Sequence, residues 1–389
     1  MTALAAALSQ ELTRHLLPFW RSLRDDERGG TIGLVEYDLT RRPEAERGCI
    51  LNSRILWFFS EAFLTLGDES LLEEAGHNYA MLQRMLDPVH GGVYWSMNAD
   101  GSVLDSTKHT YNQAFAIYAL SAYARASGLE EPLALARELF ATVEQRCFDG
   151  EGYLEAFTAD WQPAGNEKLS ENGVEAKRTM NTLLHVLEGY TGLYQAGGDE
   201  QVRQRLVWIL ELWAEKFYNP EKRRQEVFFD LEYHSLIDLH SFGHDIETSW
   251  LADRTLELLG DPELTRRIRP LLMSLADCTL AAAWTPDNGF ANESEKGVVD
   301  QTRVWWVQAE ALVGFLNAWE KTGEERYLTA ARAQWDYIRR KVIDPRPGSE
   351  WFWSVREDGT PVEKPIVEPW KCPYHNGRMC MEVIRRCGK

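Results

Sequence analysis

Glycine punctuates this chain at near-regular intervals, and that punctuation constrains the fold more than any other feature. Gly67, Gly128, Gly197, Gly260 and Gly323 each close an apolar helical pattern, as in Leu-Thr-Leu-Gly67 and Leu-Leu-Gly260. Glycine just past a helix end takes the left-handed cap that other residues resist. Only a few residues then pass before the next helix begins. A period of about 60–70 residues marks a repeated supersecondary unit, here a helical hairpin, and the chain has room for about six hairpins, hence about twelve helices.

The two helices of a hairpin differ in kind. Leu71–Met85, Pro132–Gln145, Val202–Tyr218, Glu263–Ala283 and Tyr327–Val342 carry charge on one face. Ile55–Leu66, Ala114–Ala126, Leu183–Tyr194 and Ala309–Trp319 are apolar almost all round, which marks a buried helix. Buried helices ringed by amphipathic ones close into an (α/α)6 barrel. The expected fold class is therefore all-α, one domain over residues 1–389. Links from buried to amphipathic helices are short. The reverse links are long, near 24–48, 86–108, 146–178, 219–240, 284–302 and 343–373. Two of them read as β-hairpins: Val93-Tyr-Trp-Ser-Met before Asn98-Ala-Asp-Gly101, and Trp351-Phe-Trp-Ser-Val before Glu357-Asp-Gly359. Long loops in a compact domain are usually functional, and these all emerge where the inner helices begin.

Composition enters by exclusion. A net charge of −18 argues against nucleic acid or an anionic membrane as partner, since both need a basic face. No apolar run reaches the roughly 20 residues that span a bilayer. The N-terminal stretch has no basic region before its apolar residues and reads as a helix start, not a signal peptide. Cys49, Cys147, Cys278, Cys372, Cys380 and Cys387 are scattered with no CxxC pair, so neither a metal cluster nor a disulfide framework is expected. The expectation is a cytoplasmic protein, a monomer sooner than a dimer.

The first turns of the inner helices are polar where their continuations are not. They offer Asn52 and Arg54; Tyr111 and Asn112; Asn181 and His185; His244 and Glu247; Trp306, Gln308 and Glu310; and His375, Asn376 and Arg378. Polar groups at matching depth either line a common cavity or lie buried without partners, which is costly. Bland readings exist for several. Asn52, Asn112 and Asn181 are candidate N-caps. Arg54 is a candidate ion-pair partner of Glu310 or Glu247. Trp250 and Trp306 suit a core, whereas Trp370, in a loop, suits a sugar platform. His15, His77 and His90 lie on outer helices or loop starts, and His109, His234 and His240 are loop residues without further support. His185, His244 and His375 stand apart, because three different inner helices bring them to one rim.

Three histidines can hold zinc, but no HExxH-type spacing is present. Glu247 and Glu310 could serve as a glycosidase pair, which would leave the histidines idle. No nucleophile elbow or phosphate-binding loop appears. Two neutral histidines on opposite sides of a cavity suit proton transfer at a carbon beside a carbonyl, since an ordinary imidazole titrates near 6.5. Activity is then expected to fall below about pH 6. Glu247 is placed to orient either His244 or His185. Arginine and amide donors could hold the enediolate oxygen.

The residues that carry this chemistry also carry a resemblance. Ser53-Arg54-Ile-Leu-Trp-Phe, Gly91-Gly-Val-Tyr-Trp, Lys108-His-Thr-Tyr111-Asn-Gln, Met180-Asn181-Thr-Leu-Leu-His185, Phe242-Gly-His244-Asp-Ile-Glu247, Arg303-Val-Trp-Trp306-Val-Gln-Ala-Glu310 and Trp370-Lys-Cys-Pro-Tyr-His375-Asn-Gly-Arg378 occur in order along nearly the whole chain. The chain resembles the N-acylglucosamine 2-epimerase superfamily, and within it the members acting on β-1,4-linked disaccharides. That resemblance implies an (α/α)6 barrel without cofactor that reversibly epimerises C2 of a reducing-end glucose, in cellobiose or lactose, through a cis-enediolate. It implies His244 and His375 as the acid/base pair, with His185 aiding ring opening or holding the carbonyl oxygen. It implies Arg54, Tyr111, Asn181, Glu247, Trp250, Trp306 and Glu310 as ligands of the reacting sugar and Trp370 as the platform for the second. An aldose–ketose isomerase or N-acyl-hexosamine epimerase of the same superfamily is the nearest alternative. A sugar-binding toroid without activity is the alternative from another class.

Overall fold

Twelve helices alternate between two concentric rings in the computed structural model, which describes residues 1–166, 168–169 and 172–387. The outer helices are α1 (2–21), α3 (Glu69–Arg84), α5 (Glu130–Arg146), α7 (200–217), α9 (Pro262–Ala283) and α11 (325–342). The inner helices are α2 (Cys49–Leu66), α4 (Thr110–Ser127), α6 (Met180–Gly197), α8 (Phe242–Leu259), α10 (Trp305–Thr322) and α12 (Tyr374–Cys387). Each inner helix packs on the next and α12 returns to α2, which closes the ring. Outer helices α3, α5, α7, α9 and α11 lie against the inner helix just before them. Helix α1 lies against α12, so the first and last helices form the sixth hairpin. The (α/α)6 barrel read from the sequence is the fold observed.

Five inner helices are 18 residues long and end on a left-handed glycine whose N–H returns to a carbonyl of the last turn. The third of these caps is Gly198, at φ 67°, and not Gly197. Gly197 is the last helical residue, and a Cβ there would lie 2.6 Å from Asp199 Oδ2. Asn181 is then the second residue of its helix, whereas Asn112 and His244 are each the third of theirs. The true register gathers Arg54, Phe115, His185, Glu247 and Glu310, each the sixth residue of its helix. Five of the six inner helices therefore present a charged or aromatic side chain at one level, and α12 adds Arg378 one residue earlier, as its fifth.

Helix α2 alone among the described helices is long and apolar enough to cross a membrane, contrary to the expectation from the sequence, yet 78% of it is buried in the ring. It is apolar because neighbours cover it on every side.

The long loops are stitched together in sequence. The residues before each inner helix pair antiparallel with the loop of the next hairpin: Arg47–Gly48 with Ser96–Met97, Lys108–His109 with Ala156–Phe157, Arg178–Thr179 with Phe228–Phe229, Leu239–Ser241 with Glu293–Glu295, and Arg303–Val304 with Ser354–Val355. A bridge between Val35 and Val367 joins the last loop to the first. Both hairpins read from the sequence are present, as Ser96–Met97 with Val103–Asp105 and as a turn from Val355 to Pro361.

A charged clamp recurs inside these loops. Two residues ahead of α2, α4, α6 and α10 stand Arg47, Lys108, Arg178 and Arg303. Each reaches an aspartate in the turn after the preceding outer helix: Asp25 at 2.6 Å, Asp87 at 2.8 Å, Asp149 at 2.8 Å and Asp287 at 3.5 Å. His240 occupies this position ahead of α8 and bonds Asp245 at 2.9 Å. That explains it as part of the frame.

Candidate active site

The charged level of the inner ring converges on one guanidinium. Arg378, on the first turns of α12, is 1% exposed and meets carboxylates from three other inner helices. Its Nη1 donates to Glu188 Oε1 at 2.5 Å, and its Nη2 donates to Glu310 Oε1 at 2.7 Å and to Glu247 Oε1. Three carboxylates share a single strong cation, so they cannot all be equally acidic. Burial would raise Glu188, but the Arg378 charge and hydrogen bonds from His185 and Tyr374 overcome it and hold Glu188 at about 2. Burial and then the neighbouring Glu310 push Glu247 up, against Arg378. Burial also raises Glu310. Glu247, Glu310 and His375 have the spacing of a metal-ligand set. The Arg378 guanidinium, however, already occupies the place between the two carboxylates.

All three rim histidines use Nδ1 to bind the protein and leave Nε2 without a partner among the described residues. His375 Nδ1 pairs with Glu310 Oε1 at 2.8 Å, and His185 Nδ1 with Glu188 Oε2 at 2.9 Å. His244 Nδ1 meets the Ser241 hydroxyl at 2.7 Å. Both pairings considered for Glu247 are thus overturned: His185 takes Glu188, His244 takes Ser241, and Glu247 belongs to Arg378. A carboxylate on Nδ1 fixes the proton there and leaves the lone pair on Nε2, whereas a hydroxyl can donate or accept and leaves either tautomer open. Burial is the first cause that lowers each imidazole: His244 to about 3, His375 well below its ordinary value, and His185 below it as well. All three are neutral at pH 7.

His244 and His375 come together at Trp306. Its ring lies 4.8 Å from the first and 5.4 Å from the second, centroid to centroid. Trp306 can reach this position because residue 243 is glycine; a Cβ there would stand 2.4 Å from Trp306 Cη2. The half-buried groups of the site are His244, Trp306, Asn181 and Trp370. Asn181 Oδ1 has no partner among the described residues and is left to accept from a hydroxyl. Arg54 Nη2 donates to the Tyr111 hydroxyl at 2.8 Å, and its guanidinium lies over Phe115 and Tyr374. It makes no close ion pair with Glu310 or Glu247, because Arg378 takes both. Trp370 packs against Tyr111 at 6.0 Å and Trp95 at 5.9 Å.

Three expected sugar ligands are placed otherwise. Trp250, Glu247 and Glu310 are 0% exposed. The Trp250 indole N–H donates to Glu310 Oε2 at 2.9 Å, so it props the carboxylate that orients His375. The N-cap readings of Asn52, Asn112 and Asn181 also fail, since the caps are Gly48, His109 and Thr179. Instead, Asn52 Nδ2 binds the Gly48 carbonyl and Asn112 Nδ2 the Tyr94 carbonyl, both at 2.8 Å. Glu188, Ser241 and Tyr374 went unread. A signal for Glu188 existed: His185-Val-Leu-Glu188 has the same spacing as His244-Asp-Ile-Glu247, and it is the former that pairs.

Comparison with known proteins places the chain in a family. The family model described as N-acylglucosamine 2-epimerase (GlcNAc 2-epimerase) matches residues 30–377. The chain is 48% identical to the cellobiose 2-epimerase of Eubacterium cellulosolvens, with 97% of each chain covered. It is also 48% identical to the cellobiose 2-epimerase of a Ruminococcus albus strain, over 97% of this chain and 98% of that one. The structure of cellobiose 2-epimerase from Bacillus thermoamylovorans superposes with a TM-score of 0.96 at 43% identity, covering 99% of this chain and 100% of the other. With the histidines, the arginine hub and the barrel that positions them all in place, the chain belongs to the N-acylglucosamine 2-epimerase family.

Proposed function

We propose that this chain is a cellobiose 2-epimerase, interconverting glucose and mannose at the reducing end of β-1,4-linked disaccharides, with lactose and epilactose as a second pair. The observation that carries the reading is the pair of neutral imidazoles meeting at Trp306, each with Nε2 unpartnered. In the opened sugar the C1 carbonyl acidifies the hydrogen on C2. His375 takes that proton on Nε2, and Glu310 on its Nδ1 stabilises the imidazolium that forms. The electrons left on C2 form a cis-enediolate, whose oxygens accept from Arg54 and the Asn181 amide N–H. Rotation about C2–C3 presents the other face, and the enediolate charge raises the proton affinity of His244, which takes a proton from solvent and passes it to C2 while His375 returns its own proton to solvent. In reverse the two exchange roles. Trp306 and Trp370, both half-buried, supply apolar faces for the reacting and the second sugar.

The six unpaired cysteines fit a reducing compartment, which supports a cytoplasmic location. One chain supplies every group named, which supports action as a monomer. The deciding experiment is incubation with cellobiose in heavy water, read by NMR. Deuterium at C2 together with glucosyl-mannose is expected. A ketose as sole product would place the chain among the isomerases, and free monosaccharide would place it among the glycosidases.

A further inference from the structure

The stretch from Trp370 to Arg378 holds two polar residues that the proton transfer leaves unused, Lys371 and Asn376. Each directly follows a residue of the site. Lys371 follows Trp370, the apolar face for the second sugar, and Asn376 follows His375, the base at C2. Both side chains end on one carboxylate. Lys371 Nζ donates to Glu350 Oε2 at 2.6 Å, and Asn376 Nδ2 donates to Glu350 Oε1. Glu350, Lys371 and Asn376 are each 0% exposed. The knot is held from outside as well: the Trp351 N–H donates to Glu350 Oε2 at 2.6 Å, and Lys371 Nζ donates to the Ile366 carbonyl at 3.0 Å. A buried ion pair gains little over apolar packing of the same volume, so stability alone does not account for this one. What it does supply is a fixed geometry. His375 is set by the first turn of α12 and by Glu310, whereas Trp370 is half-buried in an irregular loop. The Glu350 carboxylate spans the join between them.

We propose that Glu350 and Lys371 are positioning residues that fix the Trp370 ring relative to His375, so that a disaccharide seated by its second sugar presents C2 of the first to the base. Stacking on Trp370 is binding energy gained far from the reacting carbon. It serves the chemical step only while the ring and the base keep one separation. With the ion pair cut, the second sugar still stacks on Trp370, but C2 spends a smaller fraction of the time within reach of Nε2. The loss then falls on kcat and leaves binding nearly as it was. Because the pair acts through Trp370, a chain without that indole has nothing further to lose when the pair is cut.

This inference rests on the reading of the chain as a disaccharide epimerase with Trp370 under the second sugar, and its test separates the two claims. Turnover of cellobiose is followed in heavy water by deuterium accumulating at C2, in the full chain and in Trp370→Ala, each with and without Lys371→Met. Lys371→Met unties the Trp370 side of the knot and leaves Glu350 its bonds from Asn376 and the Trp351 N–H. With Trp370 present, it is expected to lower kcat by about tenfold or more with KM within about twofold of wild type, the split that marks loss in the reacting state alone. In Trp370→Ala the same substitution should change kcat by less than about twofold, since two changes on one route do not add. Should Lys371→Met melt below the assay temperature, Glu350→Asp decides: it keeps the charge, and a carboxylate one methylene shorter cannot reach Lys371 and Asn376 together, so the same pattern is expected. An unchanged kcat in the folded variant would overturn the inference. An equal fall with and without Trp370 would also overturn it, as would wild-type kinetics in Trp370→Ala. Absence of deuterium at C2 in wild type would instead overturn the epimerase reading.

Discussion

At the scale of single residues, each histidine is defined by what holds its Nδ1. Glu310→Gln removes the charge that steadies the His375 imidazolium and leaves an amide able to present the wrong atom. A fall in kcat of about 100-fold or more is expected, with KM little changed, checked by steady-state kinetics on cellobiose. Gly243→Ala is a steric counterpart, since its methyl group would displace Trp306 and with it the spacing between His244 and His375. The expected outcome is loss of most activity with an unaltered helical circular dichroism spectrum. The pH profile follows from burial. Imidazoles held below the ordinary value, His244 at about 3, stay neutral in acid, so kcat/KM on cellobiose should hold well below pH 6. This revises the acid limb expected from an ordinary histidine. A fall centred near 6.5 would show that the free enzyme solvates these rings. The same burial costs stability in acid. As pH falls below the unfolded value near 6.5, the unfolded chain takes up protons that the folded one refuses, so the folded state weakens from there downward.

At the scale of elements, four of the inner helices, α2, α4, α6 and α10, are fixed at both ends by local chemistry. A left-handed glycine stops each, and a basic residue two positions before its start is clamped to the preceding loop. The clamps are buried, with Lys108 at 0% and the Asp87 side chain at 2% exposed. Removing one partner leaves an uncompensated buried charge. Asp87→Ala is therefore expected to cost about 3–5 kcal/mol, read as a lowered midpoint in urea. The glycine stops are legible in sequence because the left-handed conformation selects one residue type. The choice between Gly197 and Gly198 is not, because both are glycines and either suits a cap. The clamp pattern is visible once the helix starts are known, since Arg47, Lys108, Arg178 and Arg303 share one offset. Before that, each looks like any loop cation.

At the scale of the whole molecule, the barrel is a ring closed by its own chain ends. Helix α1 buries Leu4, Leu8, Leu12, Leu16 and Trp20 and lies against α12, which carries His375 and Arg378. Without α1 the outer face of α12 meets water, and the ring loses its sixth hairpin. Deletion of residues 2–21 is expected to abolish cooperative thermal unfolding and activity together, measured by circular dichroism melting and product assay. A truncated chain that melts sharply and still acts on cellobiose would show that the remaining hairpins hold α12 unaided.

The amino-acid order alone determined the number and kind of helices, because helix period, apolar coverage and glycine stops are local properties. It also brought His185, His244 and His375 to one rim, because three helix starts must share one end of a ring. Only the tertiary structure decided the partners. Arg378 lies 131 residues from Glu247 and 190 from Glu188, and no local rule chooses which of several buried carboxylates reaches a guanidinium. That choice depends on ring closure, which sets the distances between helices and so makes His185 a partner of Glu188, His375 of Glu310 and His244 of Ser241.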